Sequence, residues 1–194
     1  MWATCRDNDY GRIVRLAVIL GPRRAEIAGM CWSELDLETA IWTIPASRSK
    51  NHREHRVPLP DLALEIIRAV PRLVGRDFLF GRDEGRPIGG FSAAKKAIDE
   101  RIAEAIGKPL KPWVLHDLRR TIDTGMGDKW GVLPHIADEV LGHVGAHKSG
   151  VQGTYNRALY EADVRKALTL WAEHVRSIVG GDGASKIAVL KRRA

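Results

Sequence analysis

Cysteine is nearly missing from this 194-residue sequence: Cys5 and Cys31 stand far apart and in no CxxC arrangement. Neither a disulfide framework nor a zinc ribbon is indicated, and a reducing cytoplasm is the expected setting. No stretch approaches the roughly eighteen uninterrupted apolar residues of a membrane span. The first ten residues hold Arg6, Asp7 and Asp9 and no apolar core of a secretion signal, so no membrane partner is expected. There is no internal repeat, no low-complexity tract and no HExxH. His52 with His55, and His143 with His147, have ligand-like spacings, but the second pair spans Gly145 beside a helix end, and no metal is expected.

With 44% hydrophobic and 28% charged residues, the chain can bury one core, and one domain is the expectation. Lys and Arg number 31 against 24 Asp and Glu, a net charge of +7. That excess suits a polyanion such as nucleic acid, or a merely basic soluble protein.

Ile13, Leu16, Ala17 and Leu20 recur at helical spacing from Asp9 and stop at Gly21-Pro22, where a second helix is predicted to start with Pro22 in its first position. Between Trp32 and Pro60 the pattern alternates, predicting a small antiparallel sheet whose turn holds Ser47, Arg48, Ser49, Lys50, Asn51 and His52. Helical periodicity returns over 62–70 and 94–105, with a Gly-rich surface loop over 81–90 between them. Further helices are predicted over 115–124, from Pro134 to a stop at Gly142, and over 161–179. The last aligns Val164, Ala167, Leu168, Trp171, Val175 and Ile178 on one stripe, to be covered by the core or by a neighbouring subunit. Residues 180–194 are expected to be a flexible tail.

Several polar residues have two readings. Arg23 and Arg24 fall in a predicted first helical turn, where the helix dipole disfavours cations by about 0.3–1 kcal/mol each unless an anion approaches. Alternatively, Arg23 pairs with Glu26 three residues on. His116 and Arg119 share a helix face and can grip one phosphate, or simply be solvated. His143 follows a helix end, as a stabilised imidazolium or a plain cap. Lys50 stands among Arg48, His52, Arg53, His55 and Arg56, on a solvated turn or a DNA-facing ribbon.

The order of these elements is more specific than any of them. Gly21-Pro22-Arg23-Arg24-Ala25-Glu26-Ile27, Lys50 in a β turn, Leu115-His116-Asp117-Leu118-Arg119-Arg120-Thr121, Val140-Leu141-Gly142-His143 and Gly153-Thr154-Tyr155-Asn156-Arg157 follow one another. This series resembles the tyrosine recombinase family, especially prophage and genomic-island integrases, over residues 10–174. The resemblance implies a mainly α fold with a small antiparallel β-sheet, the α+β catalytic domain of that family, over residues 1–179. It implies that Arg23, Arg119, His116 and His143 surround the scissile phosphate, that Lys50 is the general acid and Tyr155 the nucleophile, and that Glu26 orients the arginines. Arg24, Arg48, His52, Arg53 and Arg120 are the further DNA contacts expected.

Two features depart from the family pattern. Leu20 stands where many members have Thr before the glycine, and the step from His143 to Tyr155 is long, which keeps Tyr160 as a second candidate nucleophile. The resemblance also implies site-specific recombination without nucleotide, metal or other cofactor. The expected partners are double-stranded attachment-site DNA, a tetramer built through the C-terminal helix or tail, and possible accessory DNA-bending proteins, at the nucleoid of a bacterial cytoplasm. An N-terminal core-binding domain is expected to be absent from this chain. The alternatives are DNA relaxation of the type IB topoisomerase kind, and a DNA-binding regulator of the same fold that has lost catalysis.

Overall fold

The computed structural model describes residues 1–81, 86–143 and 157–180. Helix α1 (Asp9–Leu20) begins where Asn8 Oδ1 accepts the Gly11 N–H at 2.9 Å, and ends at Gly21 with φ 84°. A left-handed residue costs an L side chain about 1–2 kcal/mol, so glycine ends the helix there. Ile13, Leu16, Ile19 and Leu20 are fully buried, and α1 packs on four other helices. It is the central post of the domain.

Helix α2 (Arg24–Ala28) follows, then a three-stranded antiparallel sheet in the order β1 (Leu35–Asp36), β2 (Ile41–Ile44) and β3 (His55–Pro58). Trp42 pairs with Val57 and Ile44 with His55, so alternate residues Trp42, Ile44 and Val57 fall on the core face. Residues 45–54 form the turn between β2 and β3. The remaining described helices are α3 (Asp61–Arg68), α4 (Phe91–Ile106), α5 (Leu115–Trp130), α6 (Pro134–Leu141) and α7 (Arg157–Val179). The architecture is mainly helical with one small sheet, as expected.

Three local expectations change. Pro22 lies outside α2: Arg23 is the N-cap, because Glu26 Oε2 accepts the Arg23 N–H at 2.7 Å and holds it extended. Helix α5 runs past Thr124 to Trp130, through Gly125 and Gly127, and stops at Gly131 with φ 61°. Gly125 is there for packing: a Cβ on it would lie 2.5 Å from Trp171 Cζ3, so its absence lets α7 seat its indole against α5. The stripe on α7 is buried from Val164 to Val175, but Ile178 is 65% exposed, since the core ends one turn before the helix does. Trp171 Nε1 donates to Val18 O at 2.7 Å, tying α7 to the central post.

Gly125→Ala should destabilise the fold by about 1–3 kcal/mol through overpacking, although alanine is the better helix former by up to about 1 kcal/mol. Urea unfolding followed by circular dichroism measures this; an unchanged or raised midpoint would show that the interface yields to a methyl group.

Candidate active site

Three separated segments meet at the guanidinium of Arg119, a residue only 4% exposed. Arg119 Nη1 donates to Gly21 O at 2.6 Å, at the turn between α1 and α2. Its Nη2 donates to Leu141 O at 2.8 Å, in the last turn of α6, and to His143 Nε2 at 2.9 Å. An arginine N–H can only donate, so His143 Nε2 accepts and its proton sits on Nδ1, which donates to Asp138 Oδ1 at 3.2 Å. Among the described residues no carboxylate forms an ion pair with Arg119, and its buried Nε–H has no partner.

Burial first, and then the neighbouring charge of Arg23, lower the Arg119 pKa to about 10, while Glu26 and Asp123 act in the opposite sense. At neutral pH the group stays charged. Among the described residues it is therefore a desolvated cation satisfied by carbonyl dipoles and an imidazole nitrogen, with an open donor and no counter-ion. An anion reaching it would relieve both costs.

Arg23 is half-buried and its Nη1 lies 3.2 Å from Glu26 Oε1. Glu26 is buried, accepts the Arg23 backbone N–H as well, and also accepts the Lys50 backbone N–H at 3.5 Å. One carboxylate thus orients an arginine and anchors the β2–β3 turn, leaving the Lys50 side chain exposed. His116, in the first turn of α5, is also exposed. Its pKa is lowered by desolvation, then by Arg119 and Arg120, with Asp117 opposing and His143 adding to the effect. Charges that act on His116 in this way belong to one neighbourhood.

The structure thus brings Arg23, Glu26, Arg119, His143 and the Lys50 backbone together, with His116 at the rim. Tyr155 lies outside the described residues. Tyr160 is on α7 with its ring 5.1 Å from that of His135, packed against the core.

Among the other expected DNA contacts, Arg24, His52, Arg53 and Arg120 are exposed. The Arg24 guanidinium stacks 4.7 Å from the centre of the Phe91 ring, and Arg120 reaches Asp117 at 3.3 Å. Arg48 is half-buried. Its fork grips Glu34 at 2.7 and 2.6 Å, and Glu34 also accepts Trp42 Nε1–H at 2.9 Å, so Arg48 braces the sheet and its fork is already engaged.

Sequence reasoning missed Asn51, His55 and Asp138. Asn51 Nδ2 donates to Gly142 O at 2.8 Å, and His55 Nε2 lies 2.9 Å from Glu139 O. Asp138, five residues before His143 on a predicted helix, had a usable signal in its spacing; the other two bond to backbone carbonyls far along the chain. Among the described residues, no group of three or more His, Cys, Asp or Glu is placed to hold a metal ion.

A model of the phage integrase family matches residues 3–166. The prophage integrase IntA of Escherichia coli K12 is 32% identical over 161 residues, which are 82% of this chain and 37% of that protein. The prophage integrase IntZ of the same strain is 30% identical over 172 residues, 88% of this chain and 40% of that protein. The chain spans about two fifths of the length of these curated relatives. Among solved structures, the Tn1549 transposon integrase in complex with a circular intermediate DNA matches with a TM-score of 0.58 at 16% identity, over 76% of this chain and 53% of that one. The integrase from mycobacterium phage Brujita matches with a TM-score of 0.57 at 22% identity, over 82% and 50%. At these identities the structural likeness shows a common fold.

The lowered pKa of His116 has a defined sign. Above its ordinary value of 6.5 the ring is neutral in folded and unfolded chains alike; below it the unfolded chain takes the proton first, so this group costs stability on acidification. The His116 ring proton, followed by NMR, should titrate below 6.5 in the free chain and move upward when inorganic phosphate is added. A midpoint at or above 6.5 without phosphate, or no response to phosphate, would separate His116 from the cationic cluster.

Proposed function

The chain belongs to the phage integrase family, and on that premise we propose that it cuts and rejoins double-stranded DNA as the catalytic part of a site-specific recombinase. The observation that carries this reading is the buried Arg119, lacking a carboxylate partner among the described residues and set beside Arg23 and His143. A phosphodiester repels nucleophiles because it is anionic, and two guanidiniums with two imidazoles around its non-bridging oxygens offset the charge that builds in the transition state. The guanidinium fork binds phosphate oxygens bidentately.

A tyrosine hydroxyl, with an ordinary pKa of about 10, is a weak nucleophile at neutral pH until the phosphorus is made electrophilic. In the proposed step Tyr155 Oη gives its proton to a water molecule and forms a bond to phosphorus. The bond to the 5′ oxygen breaks, and Lys50 Nζ gives that oxygen its proton, leaving a 3′-phosphotyrosyl enzyme and a free 5′ hydroxyl. Attack by a 5′ hydroxyl on the phosphotyrosine reverses the sequence and reseals DNA. The bond energy is kept in the intermediate, so the scheme consumes no nucleotide. The packing of Tyr160 against His135 favours Tyr155 as the nucleophile.

Relatives named as integrases support recombination over relaxation alone. Assembly of a tetramer on DNA, with the C-terminal helix or tail bridging protomers, completes the proposal, and accessory DNA-bending proteins and a place at the bacterial nucleoid remain part of it.

A suicide DNA substrate incubated with the chain in EDTA should trap a covalent adduct at Tyr155, identified by mass spectrometry. Tyr155→Phe should abolish the adduct. Loss of the adduct in EDTA, or its formation on Tyr160, would contradict the scheme. Removing one electrostatic donor commonly slows a reaction about 10²–10³-fold, so Arg119→Ala should lower the cleavage rate by that order while DNA binding falls far less. Equal losses in both would make Arg119 an anchor for DNA only.

A further inference from the structure

We infer that Asn51 and His55 are positioning residues for the general acid: they latch the β2–β3 turn to the C-terminal end of α6 and so place Lys50 over the phosphate site. The inference rests on the reading of Lys50 as the proton donor to the leaving oxygen.

The last carbonyls of a helix have no partner within it, and the end carries a partial negative charge that favours donors. In α6 these carbonyls are taken up one by one. Asp138 O accepts the His143 N–H at 2.8 Å, and Glu139 O accepts the Gly142 N–H at 3.1 Å. Leu141 O accepts Arg119 at 2.8 Å. The β2–β3 hairpin supplies two more donors, Asn51 Nδ2 in the turn to Gly142 O at 2.8 Å and His55 Nε2 at the start of β3 to Glu139 O at 2.9 Å. A carbonyl only accepts, so His55 carries its proton on Nε2. Gly142 lies at φ 62°, and a Cβ there would stand 2.7 Å from His55 Nδ1, so the hairpin rests directly on the backbone of the helix end.

Water would satisfy those carbonyls equally well if stability were the only requirement. The geometry does something water does not: Arg119, Asn51 and His55 are all registered on the same turn of backbone, at Leu141, Gly142 and Glu139. The phosphate-binding guanidinium and the residue next to Lys50 therefore share one frame. Glu26 fixes the other side through the Lys50 N–H. Lys50 itself is exposed, on a four-carbon stem free to rotate, so its reach is only as defined as the backbone beneath it. A misplacement of about 1 Å can cost about 10²-fold in rate.

The test uses single-turnover cleavage of two DNA substrates, one ordinary and one with sulfur in place of the bridging 5′ oxygen. A thiolate leaves without being protonated, so a defect confined to proton donation disappears on the sulfur substrate. Lys50→Ala should slow the ordinary reaction about 10²–10⁴-fold and recover on sulfur. Asn51→Ala and His55→Phe should slow it about 10²-fold and recover likewise, while Arg119→Ala should not recover. His55→Gln, which keeps an N–H at similar reach, should restore most of the rate lost in His55→Phe. Thermal melts of each variant establish that it is folded. If Lys50→Ala recovers on sulfur but Asn51→Ala and His55→Phe stay slow on both substrates, the latch is overturned and the reading of Lys50 stands. Full activity of both latch variants on the ordinary substrate overturns it too. Failure of Lys50→Ala to recover removes the general acid, and the latch with it.

Discussion

A buried cation that no carboxylate pairs with among the described residues is the constraint around which this domain is organised. Arg119 is 4% exposed, and among the described residues it meets backbone carbonyls and an imidazole nitrogen, but no carboxylate. A carboxylate partner would neutralise the group. Carbonyl dipoles hold the guanidinium in place, and its pKa falls to about 10, through burial and then Arg23, against the opposing charges of Glu26 and Asp123. Glu26 is kept for Arg23 and for the hairpin, close enough to moderate the repulsion between the arginines without pairing with Arg119.

The carbonyls that do this work lie at helix ends. Gly21 ends α1 and Gly142 ends α6, both in the left-handed region, and each stop turns backbone oxygens toward a space that other segments must fill. Arg119 bridges the two stops. The hairpin then uses the same α6 terminus, and His143, the first residue beyond it, closes the ring of contacts through Arg119 and Asp138. Helix ends that would otherwise need water become the frame on which polar residues from four segments are set.

Much of the fold was legible in the amino-acid pattern. The apolar spacing and the terminal glycines located α1 and α6 to the residue, and the alternation around Trp42 located the sheet. Misreadings came where a residue's role depends on its neighbours in space. Gly125 looks like a helix breaker until Trp171 is placed against it. Ile178 continues the apolar stripe of α7 but passes the edge of the core. Pro22 fits a helix start, yet Glu26 draws Arg23 into the capping position.

The same division runs through the site. Arg23, Lys50, His116, Arg119, His143 and Tyr155 were named through the resemblance that their order carries to the tyrosine recombinases; residue by residue, each had a plainer reading as a surface pair, a cap or a core side chain. What the sequence could not express is which backbone atoms these side chains meet. A carbonyl oxygen has no letter of its own, and the Asn51 and His55 contacts span 91 and 84 positions of chain. Apolar spacing and terminal glycines determined where α1 and α6 stop; only the tertiary structure, which sets the end of α6 against Gly21 and the β2–β3 hairpin, decided that Arg48 would brace the sheet, that Arg119 would lie buried among carbonyls, and that Asn51 and His55 would grip the end of a helix.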